Sequence, residues 1–355
     1  MDNKMLILNL GSTSTKVAVF CGTGEVARES LHHSQEELAS FSRIVDQKEL
    51  RKTAIRRFLE EGGFDLGEFA CIVARGGCSK PIEGGIYRIT EEMLADIESE
   101  RYGVHVSNVG CAIGYELGQE YGIPVITADT IKTDEFSTLA RYAGISELER
   151  VSTLHALNHK AIARKHAASV GKKYEDMNLI VAHMGGGISI GAHQKGRVID
   201  ANNALDGDGP FSPERAGTLP VGSLIHLCFS GKYSEAELQK MICGGGGLMS
   251  YLGTNSGLEV EDRIKQGDTR AREVYEAMAY QVAKSIGAAA CVLAGKVDAI
   301  LLTGSLAYSE MLTGWVKERT AFLAPVYLYP GENEMLSLAE SGVRFLSGAE
   351  QPKTY

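Results

Sequence analysis

The sequence predicts an α/β protein assembled from two similar halves. An apolar strand, a short glycine-bearing turn and a second apolar strand open the chain at residues 4–20, and the same pattern returns at residues 179–192. A helix followed by a strand ending in Arg75-Gly76-Gly77 has its counterpart in a helix followed by a strand ending in Thr303-Gly304-Ser305. The length, 355 residues, suits two domains at roughly 150 residues each. Together these observations indicate a duplicated α/β architecture.

Each element has its own signal. Residues 4–10 read as a buried strand and 16–20 as a second, joined through Gly11-Ser12-Thr13-Ser14-Thr15 as an antiparallel hairpin. Residues 47–61 carry Leu50, Ala54 and Phe58 at helical spacing and stop at Gly62-Gly63. A strand over 69–74 runs into Arg75; helices are expected over 90–100 and 107–121, and a strand over 124–127 leads to Asp129. The second half opens with a helix over 154–168. Strands over 179–183 and 188–192 flank Met184-Gly185-Gly186-Gly187, and a helix over 272–293 precedes a strand over 299–302. This places one domain at residues 1–152 and a second at 153–332, with a last helix, 334–346 within residues 333–355, packing back on the first.

Composition excludes several classes. Lys plus Arg is 36 and Asp plus Glu 45, a net charge of −9, and without a basic block the chain lacks the footprint of a nucleic-acid binder. No apolar run reaches the ~18 residues that span a bilayer, and the apolar stretch before Gly11 is too short for a signal-peptide core. The expectation is a cytoplasmic protein with neither membrane nor nucleic acid as partner. Seven cysteines, an odd number with no C-x-x-C pair, read as buried reduced thiols, Cys71 and Cys291 among them. Glycine is the outlier: there are 41, where the usual frequency gives about 25.

Familiar signatures are missing from the sequence. There is no G-x-x-x-x-G-K-[ST], no H-E-x-x-H and no G-x-S-x-G. Asp206-Gly207-Asp208-Gly209 fails as a calcium loop because Pro210 and Phe211 occupy its fifth and sixth positions. Gly185-Gly186-Gly187 is followed by a strand, so it is no dinucleotide fingerprint. What remains is a set of glycine-rich turns at strand ends. Asn9, Ser12, Ser14 and Lys16 gather an amide, hydroxyls and a cation in one hairpin, groups that suit phosphate oxygens, although an ordinary Ser/Thr-rich β-turn has the same composition. Gly185, Gly186 and Gly187 let a backbone approach a ligand closely. One hairpin from each half, facing a common cleft, would hold a polyphosphate.

The Asn9–Lys16 turn, Ala182-His183-Met184-Gly185-Gly186-Gly187, the run from Asn202 to Pro220 and Leu302-Thr303-Gly304 resemble the acetate kinase family, and within it the butyrate kinase branch. These motifs span nearly the whole chain in the family's order. The resemblance implies a duplicated ribonuclease-H-like (actin-like ATPase) fold with two domains around a central cleft, ATP and Mg²⁺, and phosphorylation of a short-chain carboxylate such as butyrate or isobutyrate to its acyl phosphate by direct in-line transfer, commonly in a homodimer.

The same resemblance assigns roles. Asn9, Ser12, Ser14 and Lys16 match the first phosphate turn, and His183 with Gly185, Gly186 and Gly187 the second. Arg215 matches the arginine that grips carboxylate and phosphate, a task suited to a planar fork of donors. Arg75 lies close to a second such arginine and Asp129 matches the aspartate associated with the metal. His159 falls where a histidine stabilises the transition state, and Gly304 and Ser305 where the backbone passes the adenosine. The remaining histidines, His105 and His155 included, have no spacing that argues for a metal site. Tyr308 stands where acetate kinases place a magnesium-linked glutamate, which points away from acetate kinase proper. Gly244-Gly245-Gly246-Gly247 reads as a flexible connection. The competing expectations are an acetate or propionate kinase and a non-catalytic nucleotide-binding module of the chaperone or filament type.

Overall fold

The structure, a computed structural model, describes residues 3–355. The chain forms two compact units: residues up to Thr133 together with Asn333–Tyr355, and Asp134–Glu332. The boundary therefore falls earlier than residue 152. Residues 134–152 side with the second unit, because Phe136 and Ala140 pack with Leu154, Val198 and Ala201, and Arg150 donates to the Asp200 carboxylate and the Ala201 carbonyl.

In the first unit, β1 (Lys4–Gly11), β2 (Ser14–Cys21) and β3 (Gly24–His32) form an antiparallel meander. Strand β4 (Cys71–Ala74) joins β1 in parallel, β6 (Val125–Ala128) joins β4 in parallel, and β5 (Ile86–Arg88) closes the edge antiparallel to β6. The order is β3-β2-β1-β4-β6-β5. β1 and β4 are buried along nearly their whole length because both faces of the sheet are covered. On one face Leu6, Leu8, Leu10, Ile72 and Ala74 meet the helices Lys48–Glu61 and Ser107–Tyr121. Gly110, Gly114 and Gly118 lie one turn apart on the latter, and a Cβ on any of them would press on Leu10 or Val125, so part of the glycine excess seats this helix on the sheet. The helix Glu334–Leu346 covers the other face, its Gly342 lying on Met5 and Val73.

The second unit repeats the plan. β7 (Asn178–Met184), β8 (Ile188–Gln194) and β9 (Arg197–Ala201) form the meander, and β10 (Ala299–Gly304) and β11 (Val326–Pro330) add in parallel beside β7, giving β11-β10-β7-β8-β9. Period-two alternation divides the core: Ile180, Ala182 and Met184 face the helix Thr269–Val292, whereas Leu179 and Val181 face Ala156–Ser169. The seven cysteines are free thiols, but Cys228, Cys243 and Cys291 are exposed rather than buried. Among the described residues no helix is long and apolar enough to cross a membrane.

Candidate functional site

Each unit presents one set of groups at the carboxyl ends of its central strands. In the first unit the pairings Asn9↔Lys16 and Gly11↔Ser14 put Asn9, Ser14 and Lys16 on one face of the hairpin, with Ser12 and Thr13 at its exposed tip. The opposite face holds a residue that sequence reasoning missed. Arg51, fully buried, donates from Nη1 to the carbonyls of Gly11 (3.1 Å) and Ser14 (2.9 Å), and from Nη2 to that of Ser12 (3.0 Å). With three carbonyls and the Thr15 hydroxyl turned inward onto one guanidinium, the turn is held in a single conformation, with Ser12 and Thr13 left exposed at its tip.

Arg75 leaves β4 in a fixed direction, because the backbone after it has no room to vary. A Cβ on Gly76 would stand 2.4 Å from Thr130 Cγ2, and one on Gly77 1.9 Å from Asn108 Oδ1, the oxygen that accepts from Cys78 N–H. The guanidinium meets Glu334 through Nη2 (2.8 Å) and Nη1 (3.2 Å), and Asn9 Nδ2 donates to the same carboxylate (2.8 Å). His105 completes this cluster. Burial, and then the Arg75 cation, hold its imidazole down at about 4 against the opposing pull of Glu334. Asp129, at the end of β6, is buried with a φ of 43°, and its Oδ1 accepts from Gly85 N–H (2.8 Å). A φ in the left-handed region is uncommon for a non-glycine residue, although aspartate tolerates it better than most.

In the second unit the three glycines and Arg215 are one structure. Ser212 Oγ donates to Gly186 O (2.6 Å) and Glu214 N–H to the same carbonyl (3.3 Å), so the Arg215 loop is docked on the glycine turn. The guanidinium lies against Gly187, where a Cβ would be 1.7 Å from Nη1. Nη1 donates to Ala204 O (2.5 Å), and the buried Nε has no hydrogen-bond partner. An unpartnered, buried, charged donor beside a glycine turn is the arrangement expected of an anion site.

The run Gly244–Gly247 is no flexible connection. The N–H groups of Gly244 and Gly246 both donate to Glu214 O (2.7 and 3.2 Å), and Leu248 N–H donates to Ser212 O (3.1 Å). A Cβ on Gly247, whose φ is +62°, would stand 1.6 Å from Ser212 O. These glycines are a strap around the Arg215 loop.

His183 ends β7 and is buried, with Nδ1 3.0 Å from Asn158 Oδ1 and Nε2 3.4 Å from Glu332 Oε2. His155 stacks on it, ring centroids 3.9 Å apart. His159, one helical turn further on, does not reach the turn. It is fully buried beneath Gly191, bonded to Ser189 Oγ (2.9 Å) and His193 Nε2 (3.2 Å), and burial holds its imidazole down at about 3. Helical spacing offers both histidines to the same region, and burial separates them: His155, half-buried, is the one beside His183. Gly304 (φ +86°) is packed on Met184, whose carbonyl oxygen a Cβ would meet at 2.4 Å, while Ser305 is exposed with its hydroxyl toward Gly185.

The profile of the Acetokinase family matches residues 143–313. Over all 355 residues, 100% of both chains, the sequence is 48% identical to butyrate kinase 2 of Clostridium acetobutylicum. The chain belongs to the acetate kinase family. Solved structures of similar fold include the acetate kinase of Porphyromonas gingivalis (TM-score 0.80, 18% identity, 97% of this chain and 100% of that one) and a propionate kinase of Francisella tularensis (0.75, 19%, 96% and 98%). At those identities the likeness concerns the fold, which is the duplicated actin-like ATPase architecture with two mixed sheets. For this family member, the residues that the motifs left out are Arg51, His105, His155 and Glu334. Arg51 gives a faint sign in the sequence, standing one turn before Ile55 on the helix's buried stripe.

Proposed function

We propose that this chain transfers the γ-phosphoryl group of ATP to butyrate, or to a branched short acid such as isobutyrate, giving ADP and the acyl phosphate. The observation that carries phosphoryl transfer is Arg215, whose buried, unpartnered Nε sits on a backbone turn of three glycines. The choice of butyrate follows the end-to-end relative.

The chemistry forms a bond between a carboxylate oxygen and phosphorus and breaks the bond from phosphorus to the ADP oxygen, with charge spread over three equatorial oxygens. In this reading the side chains of Asn9, Ser12, Ser14 and Lys16 and the N–H groups of Gly185, Gly186 and Gly187 receive the phosphate chain. Arg75 and Arg215 hold the carboxylate and the transferring group through paired donors. His183 and His155 donate to the equatorial oxygens, and Gly304 and Ser305 border the nucleoside.

Mg²⁺ would be held by Asp129 and would supply positive charge against the phosphates. Among the described residues no three His, Cys, Asp or Glu side chains gather as a metal cage, but a site completed by phosphates and water needs only one or two carboxylates. Asp129, at the end of β6, fits as one such carboxylate; Glu334 does not, because both of its oxygens are taken by Arg75 and Asn9.

The test is acyl-hydroxamate formation with butyrate, isobutyrate, propionate and acetate. Fastest turnover on a four-carbon acid is expected. Acetate or propionate in first place would make this an acetate or propionate kinase, and no acyl phosphate from any acid would overturn the proposal. We also propose a homodimer or higher homo-oligomer. The helix Val221–Cys228 buries none of its residues, and Val221, Ile225 and the following Phe229 are 67%, 52% and 88% exposed. Light scattering that finds a monomer would remove that part. Seven free thiols suit a reducing compartment such as the cytoplasm.

A further inference from the structure

Behind His155 runs a line of four buried polar groups that the phosphate-binding roles do not use. His155 Nδ1 is 2.8 Å from Ser189 Oγ, which is 2.9 Å from His159 Nε2; His159 Nδ1 is 3.2 Å from His193 Nε2, and His193 Nδ1 is 2.6 Å from the Tyr174 hydroxyl. Ser189, His159 and His193 are fully buried and Tyr174 is 3% exposed. They come from three elements: the helix Ala156–Ser169, strand β8, and the short turn Tyr174–Asp176.

Hydrogen counting restricts this line to two states. Burial holds both His159 and His193 well below the ordinary imidazole range, and Lys160 and Arg164 near His193 push the same way, so each ring is neutral and carries one N–H. Each link then holds one hydrogen, because two would collide and none would set lone pairs face to face, and the buried Ser189 hydroxyl, bonded to His155 and His159, donates along the line instead of accepting from both. Every donor therefore points toward His155, or every donor points away from it.

Tyr174 selects the direction. A phenol is a far stronger acid than a neutral imidazole N–H, and 2.6 Å is the short distance of an O–H donating to a basic nitrogen. Arg164, 6.0 Å from the Tyr174 ring, favours electron density on its oxygen and so strengthens it as a donor, whereas Lys160, at the same distance, is ion-paired with Glu135 (2.8 Å). Tyr174 donates to His193 Nδ1, His193 Nε2–H to His159 Nδ1, His159 Nε2–H to Ser189 Oγ, and the Ser189 hydroxyl to His155 Nδ1. The last ring is left with its proton on Nε2.

We infer that Tyr174, His193, His159 and Ser189 are positioning residues, a polarised hydrogen-bond chain that fixes His155 in its Nε2–H tautomer and so presents a hydrogen-bond donor beside His183. The inference rests on the reading above for what that donor meets. The chain itself is testable without it.

The experiment uses the full-length protein labelled with ¹⁵N-histidine, with His155 assigned by loss of its signals in His155→Asn. Long-range ¹H–¹⁵N spectra of the unliganded protein should show His155 protonated on Nε2 alone near neutral pH. Tyr174→Phe, a change of one oxygen, should convert His155 to a mixture of tautomers and lower kcat about tenfold, the worth of one well-placed hydrogen bond, with KM for butyrate within about twofold. His193→Gln, whose amide can still donate to His159, should recover most of the rate that His193→Leu loses. A wild-type His155 protonated on Nδ1, or on both nitrogens, would overturn the inference, as would Tyr174→Phe leaving tautomer and kcat unchanged. If the tautomer behaves as stated but no acyl phosphate forms, the chain stands and the proposed reaction falls.

Discussion

Gly187→Ala puts one methyl group where Arg215 now lies. Gly187 does not have a positive φ, so alanine can adopt its backbone without strain. The whole effect falls on the guanidinium: the new Cβ would stand 1.7 Å from Nη1 and 2.4 Å from Cζ, and ordinary contact begins at 3.4 Å, so the fork must withdraw by 3.4 − 1.7 = 1.7 Å. A charge-assisted hydrogen bond is strongly angle-dependent, and its loss is worth about 1.5–3 kcal/mol, or about 10- to 150-fold in rate if it acts in the transition state. Initial rates of hydroxamate formation should fall by that factor. Thermal unfolding should shift by no more than about 3 °C, because a side-chain end moves and the backbone does not. In an Arg215→Ala background the same glycine change should add almost nothing, since the group it displaces is gone. A soluble Gly187→Ala protein with kcat within twofold of wild type would refute the argument that Arg215 works from its seat on this turn.

Other outcomes follow from the same geometry. Arg51→Met keeps the volume but leaves the carbonyls of Gly11, Ser12 and Ser14 unanswered; urea unfolding should show a loss of about 3 kcal/mol or more, with KM for ATP raised, and a protein of wild-type stability would contradict the clamp. Gly247→Ala combines a φ of +62° with a Cβ 1.6 Å from Ser212 O; it should lower Tm by about 5 °C or more, and an unchanged melting curve would mean that the strap yields freely. Acid should weaken the fold early. The His159 and His105 imidazoles sit at about 3 and about 4 in the native state against an ordinary 6.5, so below pH 6.5 the unfolded chain binds protons that the native protein refuses. Stability is therefore intact above pH 6.5 and declines as pH falls toward 4, with a slope of up to ~1.4 kcal/mol per pH unit for each ring. Urea midpoints between pH 7.5 and 4.5 measure this, and His159→Gln should flatten the slope.

Elements with strong local periodicity were legible from sequence. The buried hairpins of β1–β2 and β7–β8 announce themselves by apolar runs broken at a turn, and the helix 334–346 has the bounds its spacing predicts. The edge strands β3, β5, β9 and β11 escaped. β3 exposes most of its charged, mixed sequence and is a strand because β2 supplies partners along its length. At the site, glycines and the Arg215 motif stood out because backbone freedom and a planar fork are properties of single residues. Arg51 did not, since it acts on a turn about 40 residues away, and no local pattern records such a contact. The choice between His155 and His159 needed burial, which the helix alone does not contain. The Gly244–Gly247 run looked flexible because glycine permits motion; here it permits close approach.

Residues on both sides of the second unit make up the first, and this sets an order of assembly. Met5 and Val73, both fully buried, lie beneath Gly342 of the last helix, so that face of the first sheet stays bare until residues 334–346 leave the ribosome. At 5–20 residues per second, the roughly 200 residues between Thr133 and Asn333 take about 10–40 s to make. Throughout that interval the early strands exist without their cover, while the intervening unit already has all of its own sequence and can fold first. The part of the protein translated first is thus completed last, and its uncovered sheet is the stretch a chaperone has most reason to shield.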